Sequence, residues 1–191
     1  MFHQPIKASH RLFFALIPPI VLARQVATAA SWFDEEGTPV SPDRLHITML
    51  ILDDRVDMPS SLVEALCEIG AAIAAPPVPI VLDRAGGSDR SIALRPSHKI
   101  AAIDALHRQL ARLCAAAGIS QKANYTFSAH MTLGYHHGRP FNAAVTPIAW
   151  TAGELVLIHS HLGRTRHDRL ASWPLAAPEP QLELFGAERA V

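Results

Sequence analysis

The chain has 191 residues, of which 49% are hydrophobic, and its Lys+Arg and Asp+Glu counts are both 17. This length suits one domain, and the apolar content supports a substantial core, which argues against a disordered chain. The formal net charge of zero argues against a protein that coats long nucleic acid. An RNA ligand would therefore be held only at a terminus or as a small fragment.

The cysteines and the hydropathy pattern indicate a cytoplasmic protein. Cys67 and Cys114 lie in different predicted helices and form no metal-type pair, so we interpret them as reduced residues. Basic residues precede an apolar run at 12–23, as in a signal peptide, but Pro18 and Pro19 interrupt that run. No apolar run reaches the length that spans a bilayer, and we expect no membrane association.

Hydrophobic periodicity and turn residues predict strands and helices along the whole domain. In chain order they predict a strand at 11–17, a helix at 20–33, a strand at 44–50, a helix from about 59 to 75, a hairpin of strands at 78–84 and 91–95, a helix at about 99–117, a strand at 125–135 and closing strands at 154–161 and 170–175. Ser97 is predicted to cap the third helix. This order indicates one α+β domain of two lobes at 1–177, followed by a tail at 178–191.

Two short stretches of the chain carry the same pattern, His-x-Thr-apolar, inside runs of strand-forming residues. The histidines are His46 and His130, and the threonines are Thr48 and Thr132. Side chains alternate along a strand, so each His shares a face with its Thr while the residue between them points to the core. Two such pairs facing each other would place two imidazoles and two hydroxyls around one cavity. That arrangement suits acid–base chemistry on a phosphate.

Two simpler interpretations compete with catalysis. A strand His beside a Thr is usually a structural hydrogen-bonding pair, although the repetition of the motif favours catalysis. The pairs His136-His137 and His159-x-His161 could indicate a metal site, because imidazole is a common ligand. No Cys or carboxylate cluster accompanies them at suitable spacing. We therefore expect no metal and no cofactor.

The pattern resembles that of the 2H phosphoesterases, which are named for two His-x-Thr/Ser-x tetrads. More narrowly it is similar to the RNA 2′,3′-cyclic phosphodiesterases, also called 2′-5′ RNA ligases. The resemblance spans roughly residues 11 to 175 and is carried by 11–16, 45–48, 129–133 and 155–162. The chain departs from the family pattern at Ile51 and Asp53, where Phe and Gly are frequent, and at Tyr135, where many members have an Arg.

The resemblance implies a two-lobed α+β fold in which two pseudo-symmetric β-sheets line a central cleft, with helices packed outside. It also implies metal-independent hydrolysis of RNA 2′,3′-cyclic phosphodiester ends to 2′-phosphates, an RNA-processing activity. His46 would protonate the leaving 3′ oxygen, and His130 would activate water. Thr48 and Thr132 would donate to phosphate oxygens. The reverse reaction would join RNA ends through a 2′-5′ link without ATP.

Further candidate residues lie on or near the motif strands, and other functions are also compatible with the pattern. Phe14, Tyr135 and Arg139 are candidates for lining the substrate pocket, through base stacking or phosphate contact. The substrate could instead be a small cyclic nucleotide such as an ADP-ribose cyclic phosphate. A third alternative is a non-catalytic module that binds RNA ends. Binding alone would not require two titrating groups, which argues against this third alternative.

The tail contains a second recognisable pattern, at residues 181–185. The fixed positions are Gln181, Leu182, Leu184 and Phe185. They resemble the short Gln-Leu-x-Leu-Phe peptide by which bacterial proteins bind the DNA polymerase sliding clamp. The preceding Pro178 and Pro180 favour an extended chain. The alternative is a terminal strand packed on the domain, with Phe185 buried.

Overall fold

The computed structural model describes residues 8–30, 37–135 and 138–176. Within these ranges the chain forms three α-helices and a nine-stranded sheet. The elements in chain order are β1 (His10–Leu16), α1 (Ile20–Ala30), β2 (Thr38–Pro39), a 3-10 helix (Pro42–Arg44), β3 (Ile47–Ile51), α2 (Ser60–Ala71), β4 (Val78–Gly87), β5 (Ser91–Arg95), α3 (Ala101–Ala116), β6 (Met131–Tyr135), β7 (Phe141–Ala152), β8 (Glu154–His161) and β9 (Arg166–Pro174).

The sheet consists of two halves that meet at its centre. Its strand order is β7-β4-β5-β6-β3-β1-β8-β9, and the short β2 pairs with β6. All pairings among the described strands are antiparallel. The two halves are joined through β3 and β6, where Ile47 pairs with Met131. The predicted α+β class with two lobes is confirmed, and the two expected sheets are continuous through this contact.

The main core lies between one face of the sheet and the helices. Alternate residues of β4 are buried, including Val78, Ile80 and Leu82, as the period of two in a half-buried strand requires. Helix α3 presents a buried stripe at helical spacing that includes Ile103 and Leu110. A smaller buried cluster on the other face consists of Phe13, Ala15, Val156 and Ile158. The strands β1 and β8 are therefore buried on both faces, which gives the site a rigid support.

Two predicted features of the secondary structure need correction. The strand expected at 125–135 is confined to β6, so His130 immediately precedes a strand. No pattern in the sequence indicated β7, which pairs with β4 over most of its length. Most β7 side chains are small or polar and exposed, so the strand lacks the apolar alternation by which strands are recognised.

The expected cap of the third helix is also wrong. Helix α3 begins at Ala101, after Ile100 in the N-cap position. Ser97 instead contacts Asp83, which accepts hydrogen bonds from the Ser97 backbone N at 2.7 Å and from its Oγ at 2.6 Å. Ser97 therefore fixes the segment between β5 and α3 to the neighbouring strand β4.

The remaining general expectations concern the thiols, the membrane and the tail. Cys67 and Cys114 are free, and Cys114 is buried. None of the helices in the described part of the chain combines the length and the apolar character needed to cross a membrane. The tail at 178–191, with its clamp-like peptide, lies outside the described residues.

Candidate active site

The pairing of Ile47 with Met131 brings the two His-x-Thr motifs together. These two residues are the central positions of the motifs, and both side chains are fully buried. The flanking residues of a strand point to the opposite face from the central one. His46 precedes β3 and His130 precedes β6, each by one residue. The motifs therefore meet at the junction of the two halves of the sheet.

Both histidines are held by the same local hydrogen bond. His46 Nδ1 lies 2.6 Å from the carbonyl oxygen of Arg44, and His130 Nδ1 lies 2.7 Å from that of Ser128. A carbonyl can only accept, so each Nδ1 carries the proton and donates it. Nε2 is then the nitrogen left to exchange protons with a substrate. The two imidazoles thus have the same orientation relative to their motifs.

A cleft of about 340 Å³ contains most of the predicted site residues. Its lining includes Arg11, Phe13, Arg44, His46, Thr48, Thr132, Tyr135, Ser160, His161 and His167. His130 is not among the lining residues. A positive charge on His130 nevertheless lowers the pKa of His46, so the two groups are close enough to influence each other electrostatically.

Two aromatic rings surround His46. Phe13 stacks on it with ring centroids 4.8 Å apart, and His167 contacts it edge-on at 5.5 Å. Burial is the main reason that the pKa of His46 falls from 6.5 to about 4. Burial, and then the neighbouring His46, lower the pKa of His167 from 6.5 to about 4 as well. Both imidazoles are therefore neutral at pH 7 in the free protein.

His130 lies in a different environment from His46. Burial lowers its pKa, and the positive charge of Arg95 lowers it further, while the hydrogen bond to Ser128 opposes this shift. Arg95 itself donates from Nη1 to Ser128 Oγ over 3.3 Å. A neutral His130 with a free Nε2 can accept a proton from water, as a general base must.

Two arginines of the cleft lining were not predicted as site residues. Arg11 forms two hydrogen bonds of 2.6 and 2.7 Å with Asp54, and Lys122 contacts the same carboxylate at 3.1 Å. The charge of Arg11 is therefore largely compensated. Arg44 differs, because its Nε is buried without a hydrogen-bond partner in the described structure. An anion in the cleft could satisfy this donor.

The three further residues predicted to line the substrate pocket have different positions. Tyr135 lines the cleft and is 55% exposed. Phe14 does not, since it is fully buried in the main core and packs near Trp173. Alternation along β1 puts Phe14 on the face opposite to the cleft, and its neighbour Phe13 takes the expected place. Arg139 is exposed and is not part of this lining.

The two histidine pairs that were considered as metal ligands have different outcomes. His136 and His137 lie outside the described residues. His159 and His161 have no carboxylate cluster at suitable sequence spacing, but the fold brings one carboxylate to them. Strand pairing places Asp168 opposite His159, and His161 Nε2 is 2.7 Å from Asp168 Oδ2. The local sequence spacing could not show this contact, because it depends on the register of β8 and β9.

Comparison with known proteins supports a family assignment. The sequence profile of the 2′-5′ RNA ligase superfamily matches residues 18–167. The structure of Escherichia coli LigT complexed with 3′-AMP is 25% identical, with a TM-score of 0.73, and the match covers 87% of this chain and 98% of that chain. A crystal structure of a phosphoesterase is also 25% identical, with a TM-score of 0.72 and coverage of 88% and 99%.

A more distant structure, TT0787 of Thermus thermophilus, has 19% identity and a TM-score of 0.68, with coverage of 87% and 98%, and shows a shared fold. A search of curated proteins gives no match. The profile match includes both His-x-Thr motifs and most of the chain. The chain therefore belongs to the 2′-5′ RNA ligase superfamily, within the 2H phosphoesterases.

Proposed function

We propose that the chain hydrolyses 2′,3′-cyclic phosphodiester ends of RNA to 2′-phosphates, using its two histidines as acid and base. The observation that carries this proposal is the pairing of the two motifs at Ile47 and Met131, with a similar Nδ1 hydrogen bond on each histidine. Two imidazoles that both leave Nε2 free can act on opposite sides of one phosphorus atom. The reaction then needs no metal at the phosphate.

The proposed step is an in-line displacement by water. His130 Nε2 takes a proton from water as the water oxygen bonds to phosphorus. The bond from phosphorus to the 3′ oxygen breaks, and protonated His46 gives its Nε2 proton to that oxygen. The division of roles between His46 and His130 rests on the family resemblance. A 5′-hydroxyl in place of water would attack the same phosphorus and expel the same 3′ oxygen, which would form a 2′-5′ link.

Several groups of the cleft suit a bound phosphate. The hydroxyls of Thr48 and Thr132 line the cleft with His46 and can donate to non-bridging oxygens. The buried Nε of Arg44 has no partner in the described structure and can supply a charge-assisted hydrogen bond. In this proposal Arg44 compensates for the Tyr135 that stands where many relatives have an Arg.

The negative charge of the substrate explains how His46 can be protonated when it acts as the acid. In the free protein the pKa of His46 is about 4, which leaves little of the protonated form at pH 7. A phosphate anion within about 4–6 Å stabilises the charged imidazolium and raises its pKa. Substrate binding and protonation of His46 are thus coupled. The related E. coli LigT has been crystallised with 3′-AMP, which supports a nucleotide as the occupant of this cleft.

The decisive experiment is to incubate the protein with a 2′,3′-cyclic mononucleotide in excess EDTA and to identify the product by phosphorus NMR. We expect a 2′-phosphate at full rate. A 3′-phosphate as the product would contradict the assigned leaving group. If the protein turns over neither this compound, nor a short RNA with a cyclic end, nor an ADP-ribose cyclic phosphate, binding of RNA ends is the function that remains. The relative rates on these three compounds distinguish RNA from a small cyclic nucleotide as substrate.

A further inference from the structure

Four side chains with metal-binding atoms meet at one end of the sheet, where β1, β8 and β9 are adjacent. The β1–β8 pairing places His10 opposite His161, and the β8–β9 pairing places His159 opposite Asp168. His159 and His161 are two residues apart on one strand and so share a face. Non-local strand pairing therefore brings three imidazoles and one carboxylate together.

The side chains of this cluster lie within a few ångströms of one another. His10 Nδ1 and His159 Nε2 are 2.8 Å apart, and His161 Nε2 and Asp168 Oδ2 are 2.7 Å apart. One ligand atom from each of His159, His161 and Asp168 lies within 4.8 Å of the others. Tetrahedral ligands around zinc, at bond lengths of about 2.0–2.1 Å, are separated by about 3.3 Å. Rotation of their side chains could bring His159, His161 and Asp168 to that spacing. His10, which contacts His159, would have to turn towards the other two groups to complete the shell.

We propose that His10, His159, His161 and Asp168 form a binding site for a divalent transition metal of the zinc class. Neutral imidazole nitrogens and a carboxylate oxygen are the ligands that such ions prefer. Four protein ligands fill a tetrahedral shell, which is typical of structural zinc sites. The site links three strands that are distant in the sequence, so its expected effect is on stability.

The rings of the cluster lie close together, and one of them is shielded from solvent. His159 is only 4% exposed, and a buried polar ring needs partners for its nitrogens. The ring centroids of His159 and His161 are 4.0 Å apart, and those of His159 and His10 are 5.0 Å apart. A divalent cation between these rings would accept a lone pair from each neutral imidazole.

Arg166 is the charged neighbour of the proposed ligand Asp168. The guanidinium of Arg166 contacts both carboxylate oxygens, at 2.8 and 3.0 Å. These charge-assisted hydrogen bonds bind the ionised carboxylate, which is also the form that a metal ligand must have. Arg166 also holds the carboxylate in place, as hydrogen-bond partners of ligating carboxylates do. Its positive charge should reduce the affinity below that of a site without it.

The site is separate from the proposed catalytic histidines. Strand alternation places His10 and His159 on the face of the sheet opposite to Phe13, which contacts His46. His161 also lines the cleft, whereas the other three residues do not. The phosphate chemistry can be measured without the metal when turnover is assayed in EDTA.

The test uses the full-length, untagged protein, stripped with EDTA and then dialysed. Isothermal titration with zinc chloride and elemental analysis should give roughly one zinc ion per chain. Zinc should raise Tm by about 5 °C or more at saturating concentration, because a ligand that binds only the folded state stabilises it. His161→Ala and Asp168→Asn, which change partly exposed residues, should each weaken zinc binding at least tenfold and reduce the Tm shift.

Three control variants test whether zinc is bound elsewhere. The exposed His98→Ala, the cleft variant His46→Ala and the double variant His136→Ala/His137→Ala should each bind zinc like the unaltered protein. No zinc binding at high micromolar concentration would overturn the proposal, as would unchanged binding in both His161→Ala and Asp168→Asn. Turnover of a 2′,3′-cyclic mononucleotide in EDTA, measured in parallel, reports on the proposed function and is not affected by either outcome.

Discussion

Ile47 and Met131 lie opposite each other on β3 and β6, and neither side chain has measurable exposure. Each is the central residue of a His-x-Thr motif, so the core fixes the point from which both motifs project. Close packing of such residues leaves little freedom for the strands to move apart. The same contact that joins the two halves of the sheet therefore also positions the two proposed catalytic histidines.

The first prediction concerns these histidines. His46→Ala and His130→Ala should each reduce turnover of a 2′,3′-cyclic mononucleotide by about two to four orders of magnitude, the usual loss for a general acid or base. Steady-state kinetics would measure this, with circular dichroism to confirm that each variant is folded. The exposed His98→Ala provides a control with unchanged turnover. Near-native turnover in either variant would remove that residue from the mechanism.

The second prediction is an acidic pH optimum for kcat/KM. The pKa values of both His46 and His130 lie below 6.5 in the free protein. Below the lower macroscopic pKa of the pair the base is protonated, and above the upper one the acid has lost its proton. The bell-shaped profile of kcat/KM should therefore have its maximum below about pH 6.5.

The same reasoning gives a second feature of the pH dependence. The profile of kcat, which reports on the substrate complex, should shift to higher pH, because the bound phosphate raises the pKa of an adjacent imidazole. Initial rates across about pH 4 to 9 would measure both profiles. A flat profile of kcat/KM in this range would contradict a two-histidine mechanism.

The third prediction links His167 to acid stability. Its pKa is about 4 in the folded protein and 6.5 without the fold. The unfolded chain binds more protons between these values, so the contribution of His167 to the free energy of unfolding is complete above about pH 6.5 and decreases towards pH 4. From about pH 8 to pH 5 this loss should be on the order of 2 kcal/mol.

Two substitutions separate the proton effect from packing. His167→Phe keeps a ring beside Phe13 and His46, and His167→Gln keeps a polar side chain, but neither can titrate. Both should lose less stability than the unaltered protein between about pH 8 and pH 5 in urea unfolding experiments. An unchanged pH dependence in both variants would show that His167 is not held neutral in the folded protein.

The fourth prediction tests the packing of α2 against β9. A Cβ added at Gly70 would overlap ring atoms of Trp173. Gly70→Ala should therefore destabilise the protein by about 1–3 kcal/mol through overpacking, despite the higher helix propensity of Ala. Gly153→Ala is the control, since nothing lies within 4 Å of its added Cβ. Urea midpoints would measure both changes, and a Gly70→Ala variant as stable as the control would refute the tight contact.

The parts of the fold that could be predicted are those determined locally. Alternation along a strand was sufficient to put Ile47 and Met131 in the core. Thr48, Thr132 and His46 share one cleft, whereas His130 precedes its strand and is not part of that lining. The helices followed from their apolar periodicity. Local rules failed at Ser97, because Asp83 of a neighbouring strand competes for its hydroxyl and backbone amide.

The residues that the sequence did not reveal are those brought together by strand register. His167 contacts His46 only because β9 pairs with β8 and β8 with β1. The same pairings bring Asp168 to His159 and His161. No spacing in the chain encodes these contacts, since one residue of slip would exchange the two faces of the sheet. Phe14 was misplaced for the related reason that the alternation does not show which face of β1 meets the cleft.

The last prediction concerns the tail, for which the clamp-binding peptide remains a proposal based on sequence. Its fixed positions are Gln181, Leu182, Leu184 and Phe185. Such a peptide binds by inserting Leu and Phe side chains into an apolar groove while Gln supplies a directional hydrogen bond. A synthetic peptide covering residues 178–187 should therefore bind a bacterial sliding clamp in fluorescence anisotropy titrations, with Kd in the range of about 1–100 μM.

The matched control for this titration is the same peptide with Leu184→Ala and Phe185→Ala, which removes both groove-filling side chains and keeps Gln181 and the charge. It should bind at least about tenfold more weakly, because burying one large apolar side chain contributes about 1.5–3 kcal/mol. The full-length protein should compete with the labelled peptide for the clamp. Equal binding of the two peptides, or no binding at high micromolar concentration, would exclude clamp recognition through this segment.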